Sequence, residues 1–564
     1  MRSRHLAKLA DIERGLAARV AAVGAAFGAD HAPLPPVSLG PTRDPAHGDY
    51  ATAVALAAAK AWKRNPMEIA EAIARDGAKD LPDIERLEPA KPGFLNLRMS
   101  PDYFRDIVRD ALERGDDFGA SDALADYGPL LIEFTSANPT GPLNVVQGRS
   151  GSLGSTLVAL FRRSGTKTES ETYVNDAGNQ LDILAESLYA RYATLCGVDT
   201  PLPEEGYEGE FLIDIALALK QRDGDRWLRA NLDERVKVLG KFARDIIVEG
   251  QRQDMERFGV HFDHWTSEAA LHDAGEIDSV LKELTASGHA YEKDGALFLR
   301  TTDFNDEKDR VLRRSDGRPT YLAADAAYHR DKLRRGNRRL INVLGPDHHG
   351  YIARLNALVA ALGYPGSLEV LLAQYVTLKR GAEVVKMSKR AGNFVTLAEV
   401  MDEVGVDAAR FFFINRAPES HLVFDLELAL EQSTKNPVYY VQYGHARIAS
   451  ILRKADSDQH RSAFERAGRG ADLAGLNHPA EFALISRIAD FERTVVDAAK
   501  ARAPHRLAEY ARDLATGFHA FYTDCIVLSD NPTTTSARLS LCIVAKTTIA
   551  SALKLLGVSA PDQM

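Results

Sequence analysis

Apolar and polar positions recur along the chain with periods that divide it into three differently built parts. In residues 1–105, the first 27 residues carry apolar positions at helical spacing, which predicts an amphipathic helix. After a proline-rich turn at 33–36, a second helix is predicted around 50–74. The segment 93–99 then predicts a closing strand. Together these elements indicate a small α+β domain.

The middle of the chain alternates short apolar strands with helices. Residues 130–134 form an apolar run that leads into a Pro- and Gly-containing turn, and a helix is predicted to begin near Val146. This strand–turn–helix order is the entry to a doubly wound, Rossmann-type nucleotide fold. Further strand or strand–loop–helix segments are predicted to begin near residues 171, 297, 318 and 339. The charged helical stretch 182–278 is predicted to be an insertion, which gives an α/β domain over 125–404.

After about Asp407 the strand pattern is lost. Amphipathic helical periods continue to the end of the chain, so residues 405–564 are predicted to form an all-α bundle. The fold class that follows is α/β, with a small α+β domain before the Rossmann-type domain and a helical domain after it.

The composition is that of a soluble protein with several domains. A chain of 564 residues is too long for one core, and 45% hydrophobic with 26% charged residues is ordinary for globular chains. From the pattern we expect no apolar run long enough to span a bilayer, and Asp11, Glu13 and Arg19 interrupt any signal-peptide core, so we expect a cytoplasmic location. Three scattered cysteines without a CxxC pair argue against a disulfide framework or a structural zinc site.

The formal net charge of −9 is not that of a protein that coats nucleic acid through its overall field. An RNA partner would need local basic patches. One candidate stretch contains Arg330, Lys332, Arg334, Arg335, Arg338 and Arg339. The alternative interpretation of this basic stretch is a solvated helix face.

The segment VVKMSKR carries candidate chemistry because Lys386 and Lys389 flank a small polar residue, Ser388. Two ammonium groups on a loop can neutralise a triphosphate as charge moves onto pyrophosphate. A solvated basic loop is the alternative. VVKMSKR stands after an α/β core and before a helical region, and this position favours the functional interpretation.

A second polar segment, EFTSANPTGPLNVVQGRSG, covers the strand-to-helix turn of the middle domain. Asn144 and Gln147 carry amide donors that can hydrogen-bond phosphate oxygens. This segment resembles the turn of arginyl-tRNA synthetases, where that family usually has HVGH or HIGH. VVKMSKR is similar to the KMSK loop of class I aminoacyl-tRNA synthetases.

The resemblance covers nearly the whole chain and implies an arginyl-tRNA synthetase: ATP activates L-arginine to arginyl-adenylate, and the arginyl group passes to the 3′ end of tRNA(Arg). It implies that catalysis falls to Lys386, Lys389, Asn144 and Gln147. The implied ATP-binding residues are Asn144, Gln147, Gly148, Gly345, Asp347, Lys386, Met387, Ser388 and Lys389. ATP would be accompanied by Mg²⁺ without a dedicated protein cage. The family is usually monomeric and generally needs bound tRNA before it activates arginine.

Arginine recognition needs carboxylates that match a planar guanidinium. The segment SDGRPTYLAADAAYH resembles the family signature in which Asp325 would pair with the guanidinium and Tyr321, four residues earlier, would pack beside it. Core packing is the alternative for the tyrosine alone. The full set of arginine-binding residues implied by the resemblance is Glu133, Ser136, Asn138, Asn175, Tyr321, Asp325 and His348.

The run Asp347, His348 and His349 offers a second interpretation, a metal site. Adjacent residues do not easily face one ion and no third ligand group is evident, so we predict no metal ligands. The resemblance instead implies that Gly345 and Asp347 lie near the ATP ribose.

The helical part resembles the family's anticodon-binding bundle, most closely at NPVYYVQYGHARIASIL. Tyr439 and Tyr443 offer aromatic faces and Arg447 a phosphate or base contact, because unpaired bases are read by stacking and edge hydrogen bonds. Ordinary core packing is the alternative. Residues 1–105 resemble the appended domain that contacts the tRNA elbow.

Two other functions remain open. A paralogue that binds tRNA(Arg) without charging it would fit the altered turn at Asn144–Gln147. An enzyme that delivers an activated amino acid to a small molecule would not need the aromatic helical domain.

Overall fold

The computed structural model describes residues 4–29, 31–42, 44–385, 395–457 and 459–564. The N-terminal part consists of helices α1 (Arg4–Ala26), α2 (Val54–Trp62), α3 (Pro66–Ala74) and α4 (Pro101–Arg114) and strands β1 (Gly40–Pro41), β2 (Tyr50–Thr52), β3 (Ile84–Ala90) and β4 (Phe94–Met99). In α1, buried Leu9, Ile12, Leu16 and Val20 recur every three or four residues, as the amphipathic pattern predicts. The small α+β unit is confirmed.

The predicted single helix over 50–74 is a strand and two helices in the structure. Asn65 begins α3, because its side chain accepts a hydrogen bond from the Met67 N–H at 2.8 Å. Pro66 occupies the first turn, where a missing N–H costs nothing. Lys63, in the left-handed conformation with φ 51°, ends α2, and Asn65 and Pro66 then start α3.

The middle part contains strands β5 (Leu130–Glu133), β6 (Thr168–Val174), β7 (His264–Ser267), β8 (Ala290–Lys293), β9 (Ala296–Leu299), β10 (Arg310–Arg313), β11 (Arg339–Leu344), β12 (Leu368–Leu372), β13 (Val376–Arg380), β14 (Glu383–Val384) and β15 (Leu422–Asp425). Its helices are α5 (Val145–Arg163), α6 (Asn179–Leu195), α7 (Phe211–Asp223), α8 (Leu232–Arg257), α9 (Glu268–Asp273), α10 (Glu276–Ala286), α11 (Tyr321–Arg334), α12 (Ile352–Ala361), α13 (Leu397–Val404), α14 (Val406–Ile414) and α15 (Leu426–Leu430).

The main sheet has the order β12-β11-β5-β6-β7, and its neighbouring strands are parallel. All four residues of the central strand β5 are buried. From β5 the chain adds β6 and β7 on one side and β11 and β12 on the other, so the strand order reverses at β5. In a doubly wound fold, ligands bind at the carboxyl ends of the strands beside this point. The predicted Rossmann-type architecture is confirmed.

Two short strands depart from the predicted pattern. β7 lies inside the stretch 182–278 that was expected to be helical, and β15 lies beyond Asp407, where no strand was expected. Each has four residues, which is too short for alternation to be distinguished from chance. β15 pairs in parallel with β13, and β13 pairs with β14 in a hairpin.

The C-terminal part is a helical bundle made of α16 (Pro437–Ser457), α17 (Arg461–Glu465), α18 (Pro479–Ala501), α19 (His505–Asp524) and α20 (Pro532–Leu556). Among the described residues, α20 is long and apolar enough to cross a membrane, which corrects the expectation from the pattern. Much of it is buried in the bundle, with Leu541, Cys542 and Leu553 fully enclosed, as expected for a core helix.

The three parts contact one another through specific side chains. Arg410 of α14 donates hydrogen bonds to the carbonyl of Leu556 at the end of α20, to the carbonyl of Phe258 after α8 and to Ser155 Oγ on α5. Phe104 of α4 stacks on Phe482 of α18 with ring centroids 4.7 Å apart. The bundle therefore packs on both other parts.

Candidate active site

A cavity of about 1050 Å³ opens at the carboxyl ends of β5, β6 and β11. This is the edge of the sheet where the strand order reverses and where ligands are expected. The cavity is large enough for a nucleotide and an amino acid together. Its lining includes ten of the predicted site residues: Glu133, Ser136, Asn138, Asn144, Gln147, Asn175, Tyr321, Asp325, Asp347 and His348.

Asn144 and Gln147 form a capping box at the start of α5, a feature that the motif comparison did not reveal. Asn144 Oδ1 accepts from the Val146 N–H at 2.8 Å, and Gln147 Oε1 accepts from the Asn144 N–H at 3.2 Å. Both amide oxygens are used on the backbone, so the two NH₂ groups remain as donors. They lie at a helix N-terminus, where the helix dipole favours an anion.

The segment 386–394 lies outside the described residues, and with it the predicted Lys386, Met387, Ser388 and Lys389. The residues on both sides of it are described. Before it, the Val385 N–H donates to the Leu378 carbonyl of β13 at 2.9 Å. After it, Thr396 forms a β-bridge with Asn144, and the Leu397 N–H donates to the Leu143 carbonyl at 2.8 Å. The chain therefore leaves this segment directly beside the first turn of α5.

Gly148 does not line the cavity, although the resemblance implies an ATP contact there. A Cβ at this position would lie 2.7 Å from Leu397 Cδ1 and 3.1 Å from Phe413 Cε2. The close approach of α13 and α14 to α5 explains this glycine, rather than room for a nucleotide. By contrast, a Cβ at Gly345, beside the cavity-lining Leu344, would meet no described atom within 4 Å.

The floor of the cavity contains a buried ion pair between Glu133 and Lys332. Glu133 Oε2 accepts from Lys332 Nζ at 2.5 Å, and Glu133 Oε1 accepts from Ser136 Oγ at 2.7 Å. Lys332 is fully buried and also donates to Asn342 Oδ1 at 3.3 Å. Lys332 thus already balances the charge of Glu133. We therefore expect Glu133 to hold neighbouring side chains of the cavity floor in place rather than to supply net negative charge for a ligand.

Asp325 lies on the second turn of α11 and faces the cavity, where its carboxylate accepts a hydrogen bond from the Tyr351 hydroxyl. Burial raises its pKa to about 6, and the nearby Glu133 carboxylate adds to this effect. Tyr321, at the start of the same helix, is 70% exposed at the cavity rim. Core packing is therefore not the reason for this tyrosine.

Glu268 is a second acidic group of the cavity that sequence reasoning missed. It is 6% exposed, and burial raises its pKa to about 7, with Asp325 and Asp176 adding to the shift. Asp176 positions it, because its carboxylate accepts from Ser267 Oγ and from the Ala269 N–H at 2.9 Å. Only the parallel pairing of β6 with β7 brings residue 268 close to the polar loop after β6.

The polar loops after β5 and β6 supply amide groups to the same wall. Asn175 Nδ2 donates to Asn138 Oδ1 at 3.1 Å, and Gln251 Nε2 of α8 donates to the carbonyls of Asn138 and Gly141. Asn175 Oδ1 and Gln180 Oε1 are buried in the cavity wall without a hydrogen-bond partner among the described residues. Buried acceptors of this kind suit a ligand rich in N–H donors.

Asp347 and His348 line the cavity from the 3₁₀ turn Pro346–Tyr351, which follows β11. Both are exposed. The Tyr375 hydroxyl, just before β13, donates to Asp347 Oδ1. Among the described residues, no cluster of three or more metal-ligating side chains is present that would support the metal interpretation of this run.

Three family models match the chain in succession. They are the arginyl tRNA synthetase N terminal domain at 11–99, the class I (R) tRNA synthetase catalytic domain at 117–417 and the DALR anticodon binding domain at 441–564. The arginine--tRNA ligase of Heliobacterium modesticaldum is 44% identical over 535 residues, 94% of each chain. That of Geobacillus kaustophilus is 45% identical over 537 residues, 94% of this chain and 95% of the relative.

The chain belongs to the arginyl-tRNA synthetase family. The solved structure of the Thermus thermophilus arginyl-tRNA synthetase agrees with this, with a TM-score of 0.74 and 25% identity over 98% of this chain and all of that one. The predicted enzyme class and fold are confirmed, and the impaired paralogue is not favoured.

In an arginyl-tRNA synthetase, a basic stretch such as 330–339 could be taken for an RNA contact. The structure gives α11 a different role. Arg330 and Arg334 pair with Glu276 and Glu283 of α10. Lys332 pairs with Glu133, and Arg335 with the fully buried Glu171. Arg330 and Lys332 are buried and attach α11 to α10 and to the sheet, so neither interpretation of the basic stretch describes these two. Arg334, Arg338 and Arg339 are exposed, so the solvated face describes that part of the stretch.

An aromatic group with one arginine lies on α16 and α19 of the DALR region. Tyr439 and Tyr443 stack with centroids 6.1 Å apart and ring planes 8° apart, and Tyr443 also stacks on His519. Arg447 lies over the ring of Tyr522 and donates to the Tyr443 hydroxyl at 3.2 Å. Tyr443 is 37% exposed, so part of this aromatic group reaches the surface.

Proposed function

We propose that the cavity binds arginine and ATP side by side and that the arginine carboxylate attacks the α-phosphate there. The bond from the α-phosphate to the β-phosphate breaks, and pyrophosphate leaves with the electron pair. A hydroxyl of the terminal ribose of tRNA(Arg) then attacks the arginyl carbonyl of the adenylate. The bond from that carbonyl to the phosphate oxygen breaks, and AMP leaves and takes up the hydroxyl proton. Position and charge stabilisation account for catalysis, without covalent chemistry by the protein.

The ATP end of the site is proposed at the N-terminus of α5. The NH₂ groups of Asn144 and Gln147 donate to phosphate oxygens, and Lys386 and Lys389 neutralise the charge that develops on pyrophosphate. Met387, Ser388, Gly345 and Asp347 complete the ATP site, the last two at the ribose. Mg²⁺ accompanies the triphosphate, held mainly by phosphate oxygens and water.

One observation carries this proposal. The Leu397 N–H donates to the Leu143 carbonyl at 2.8 Å, and Thr396 bridges to Asn144. These contacts bring the chain that follows VVKMSKR to the turn that begins α5, so two segments about 250 positions apart in sequence meet at one place.

The arginine end is proposed between α11 and the loops after β5 and β6. Asp325 and Glu268 provide the negative charge for the guanidinium, because Glu133 is already paired. Tyr321 and His348 close the rim, and Ser136, Asn138 and Asn175 contribute polar contacts to the backbone of the amino acid. Glu133 orients this wall through Ser136.

The remaining assignments are proposals of the same kind. Unpaired anticodon bases stack on Tyr439 and Tyr443 with Arg447 at their phosphates. Residues 1–105 contact the tRNA elbow, 125–404 form the catalytic domain with an insertion at about 182–278, and 405–564 bind the anticodon. The enzyme acts as a cytoplasmic monomer.

The substitution Asn144→Asp separates helix capping from phosphate binding. Aspartate caps a helix as well as asparagine does, so we expect the melting temperature to stay within about 2 °C. The NH₂ donor is replaced by a charged oxygen that repels phosphate, so the KM for ATP should rise by about tenfold or more. Steady-state charging of tRNA(Arg) and thermal melting measure the two effects.

Asn531→Asp is the matched control for this substitution. Asn531 caps α20 in the same way, by accepting from the N–H groups of Thr533 and Thr534, but it lies outside the cavity lining. It should leave the KM for ATP unchanged. An equal KM for ATP in Asn144→Asp and in the wild type would remove Asn144 from the phosphate site.

Arginine affinity should depend on pH through Asp325 and Glu268, whose pKa values are about 6 and about 7. The guanidinium binds the ionised carboxylates, so affinity is full above these values and is lost as the pH falls through them. We expect the KM for arginine to rise by at least about tenfold between pH 7.5 and pH 5, because protonation of Asp325 alone gives about that factor and protonation of Glu268 adds to it. In Glu268→Gln the rise should begin at lower pH; the same profile as in the wild type would contradict a role for Glu268.

A further inference from the structure

Arg149 is a buried cation on α5, two residues beyond Gln147. Its side chain is fully buried and forms no ion pair with a described carboxylate. Burial lowers its pKa to about 10, which leaves it charged at neutral pH. Burying a guanidinium without a paired carboxylate costs free energy. Hydrogen bonds from its N–H groups to buried acceptors offset that cost.

The two Nη groups of Arg149 donate to four backbone carbonyls, whereas its buried Nε has no hydrogen-bond partner among the described residues. Nη1 donates to Gln374 at 2.7 Å and to Tyr375 at 3.4 Å, and Nη2 donates to Ala417 at 2.9 Å and to Ser420 at 2.8 Å. Four carbonyl oxygens that point at one place repel each other, and a planar fork of N–H donors is the side chain that satisfies them together.

These carbonyls belong to the two segments that precede neighbouring strands. Residues 374–375 come directly before β13, and 417–420 come directly before β15. The segments also bond to each other, because the Gln374 N–H donates to the Pro418 carbonyl at 2.9 Å. Arg149 thus joins α5 to the place where both strands begin.

The same segment reaches the cavity. The Tyr375 carbonyl accepts from Arg149, while the Tyr375 hydroxyl donates to Asp347, which lines the cavity. One residue therefore connects the helix that begins at Asn144 with the wall that contains Asp347.

We propose that Arg149 is a positioning residue for adenylate formation. Its guanidinium sets the distance between the N-terminus of α5, which holds the phosphates, and the Tyr375–Asp347 pair, which faces the ribose. Arg149 touches neither substrate. The proposal rests on the ATP placement proposed above. Reacting groups must be held within a fraction of an ångström. A small shift of this wall therefore raises the KM for ATP strongly and changes the KM for arginine little.

The test compares Arg149→Met with Arg410→Met in the full-length enzyme, by ATP–pyrophosphate exchange with tRNA(Arg) bound. Arg410 is the matched control: it is equally buried, its pKa is also about 10, and it donates to the carbonyls of Leu556 and Phe258. It also donates to Ser155 Oγ on α5, but at a position about three turns from the N-terminus of that helix and with no bond to residues 374–375 or 417–420. Both variants should melt at lower temperature. Only Arg149→Met should raise the KM for ATP by about tenfold or more, with the KM for arginine changed less than about threefold.

Arg149→Lys keeps the charge but cannot donate to both segments through a planar fork, so its KM for ATP should lie between those of the wild type and Arg149→Met. If Arg149→Met does not fold, the KM for ATP of Arg149→Lys alone tests the proposal. An unchanged KM for ATP in a folded Arg149 variant, or an equal rise in Arg410→Met, would overturn the proposal. If Lys389→Ala charges tRNA normally, the ATP placement itself is wrong; if only the Arg149 variants behave as wild type, this inference alone fails.

Discussion

Replacing Lys389 with alanine should lower the rate of arginyl-adenylate formation by on the order of 10²–10³-fold, with a smaller effect on the KM for arginine. The reason is electrostatic: negative charge moves onto pyrophosphate in the transition state, and an ammonium group fixed beside it stabilises that state more than the ground state. The binding of arginine at Asp325 does not involve this charge, so its KM should change little.

Lys379→Ala provides the control for Lys389→Ala. Lys379 belongs to β13, shortly before the same segment, and pairs with Asp425 at 2.8 Å. It should reduce the rate by less than about threefold, as expected for a partly exposed ion pair. Charging of tRNA(Arg) with radiolabelled arginine measures both variants. If the wild type binds tRNA(Arg) but charges none, the activity proposed for this member of the family is wrong.

The strands and helices that form the floor of the site can be predicted from sequence because their patterns are long or their turns distinctive. The apolar run of β5, the turn at Pro142 and the start of α5 are examples. β7 and β15 could not be predicted, because a strand of four residues carries too little periodicity and the pairing of each depends on a strand distant in sequence.

The candidate site was predictable only where a motif names the residues. Ten predicted residues line one cavity, whereas Glu268 has no motif and reaches it through the pairing of β7. Lys332 illustrates the reverse case. Within a basic run it has the appearance of a surface residue, yet it is fully buried against Glu133. Partners of buried charges are set by tertiary packing, which local sequence does not encode.

Asp325→Asn should raise the KM for arginine by on the order of 10²–10³-fold and leave the KM for ATP within about threefold. The substitution keeps the shape of the side chain and removes its charge. Asp325 and Glu268 are the carboxylates of the arginine end that have no lysine or arginine partner among the described residues, since Glu133 pairs with Lys332. The loss of Asp325 leaves the guanidinium with Glu268 as the remaining unpaired carboxylate and with an amide NH₂ that repels it.

Citrulline sharpens this prediction because it has the shape of arginine with a neutral ureido group. If Asp325 selects the substrate through charge, the wild type should prefer arginine strongly, and Asp325→Asn should lose most of that preference by weakening arginine more than citrulline. A variant that loses affinity for both equally would indicate damage to the cavity rather than loss of a charge contact. A KM for arginine within about threefold of the wild type would mean that the guanidinium binds elsewhere, with Glu268 as the remaining candidate.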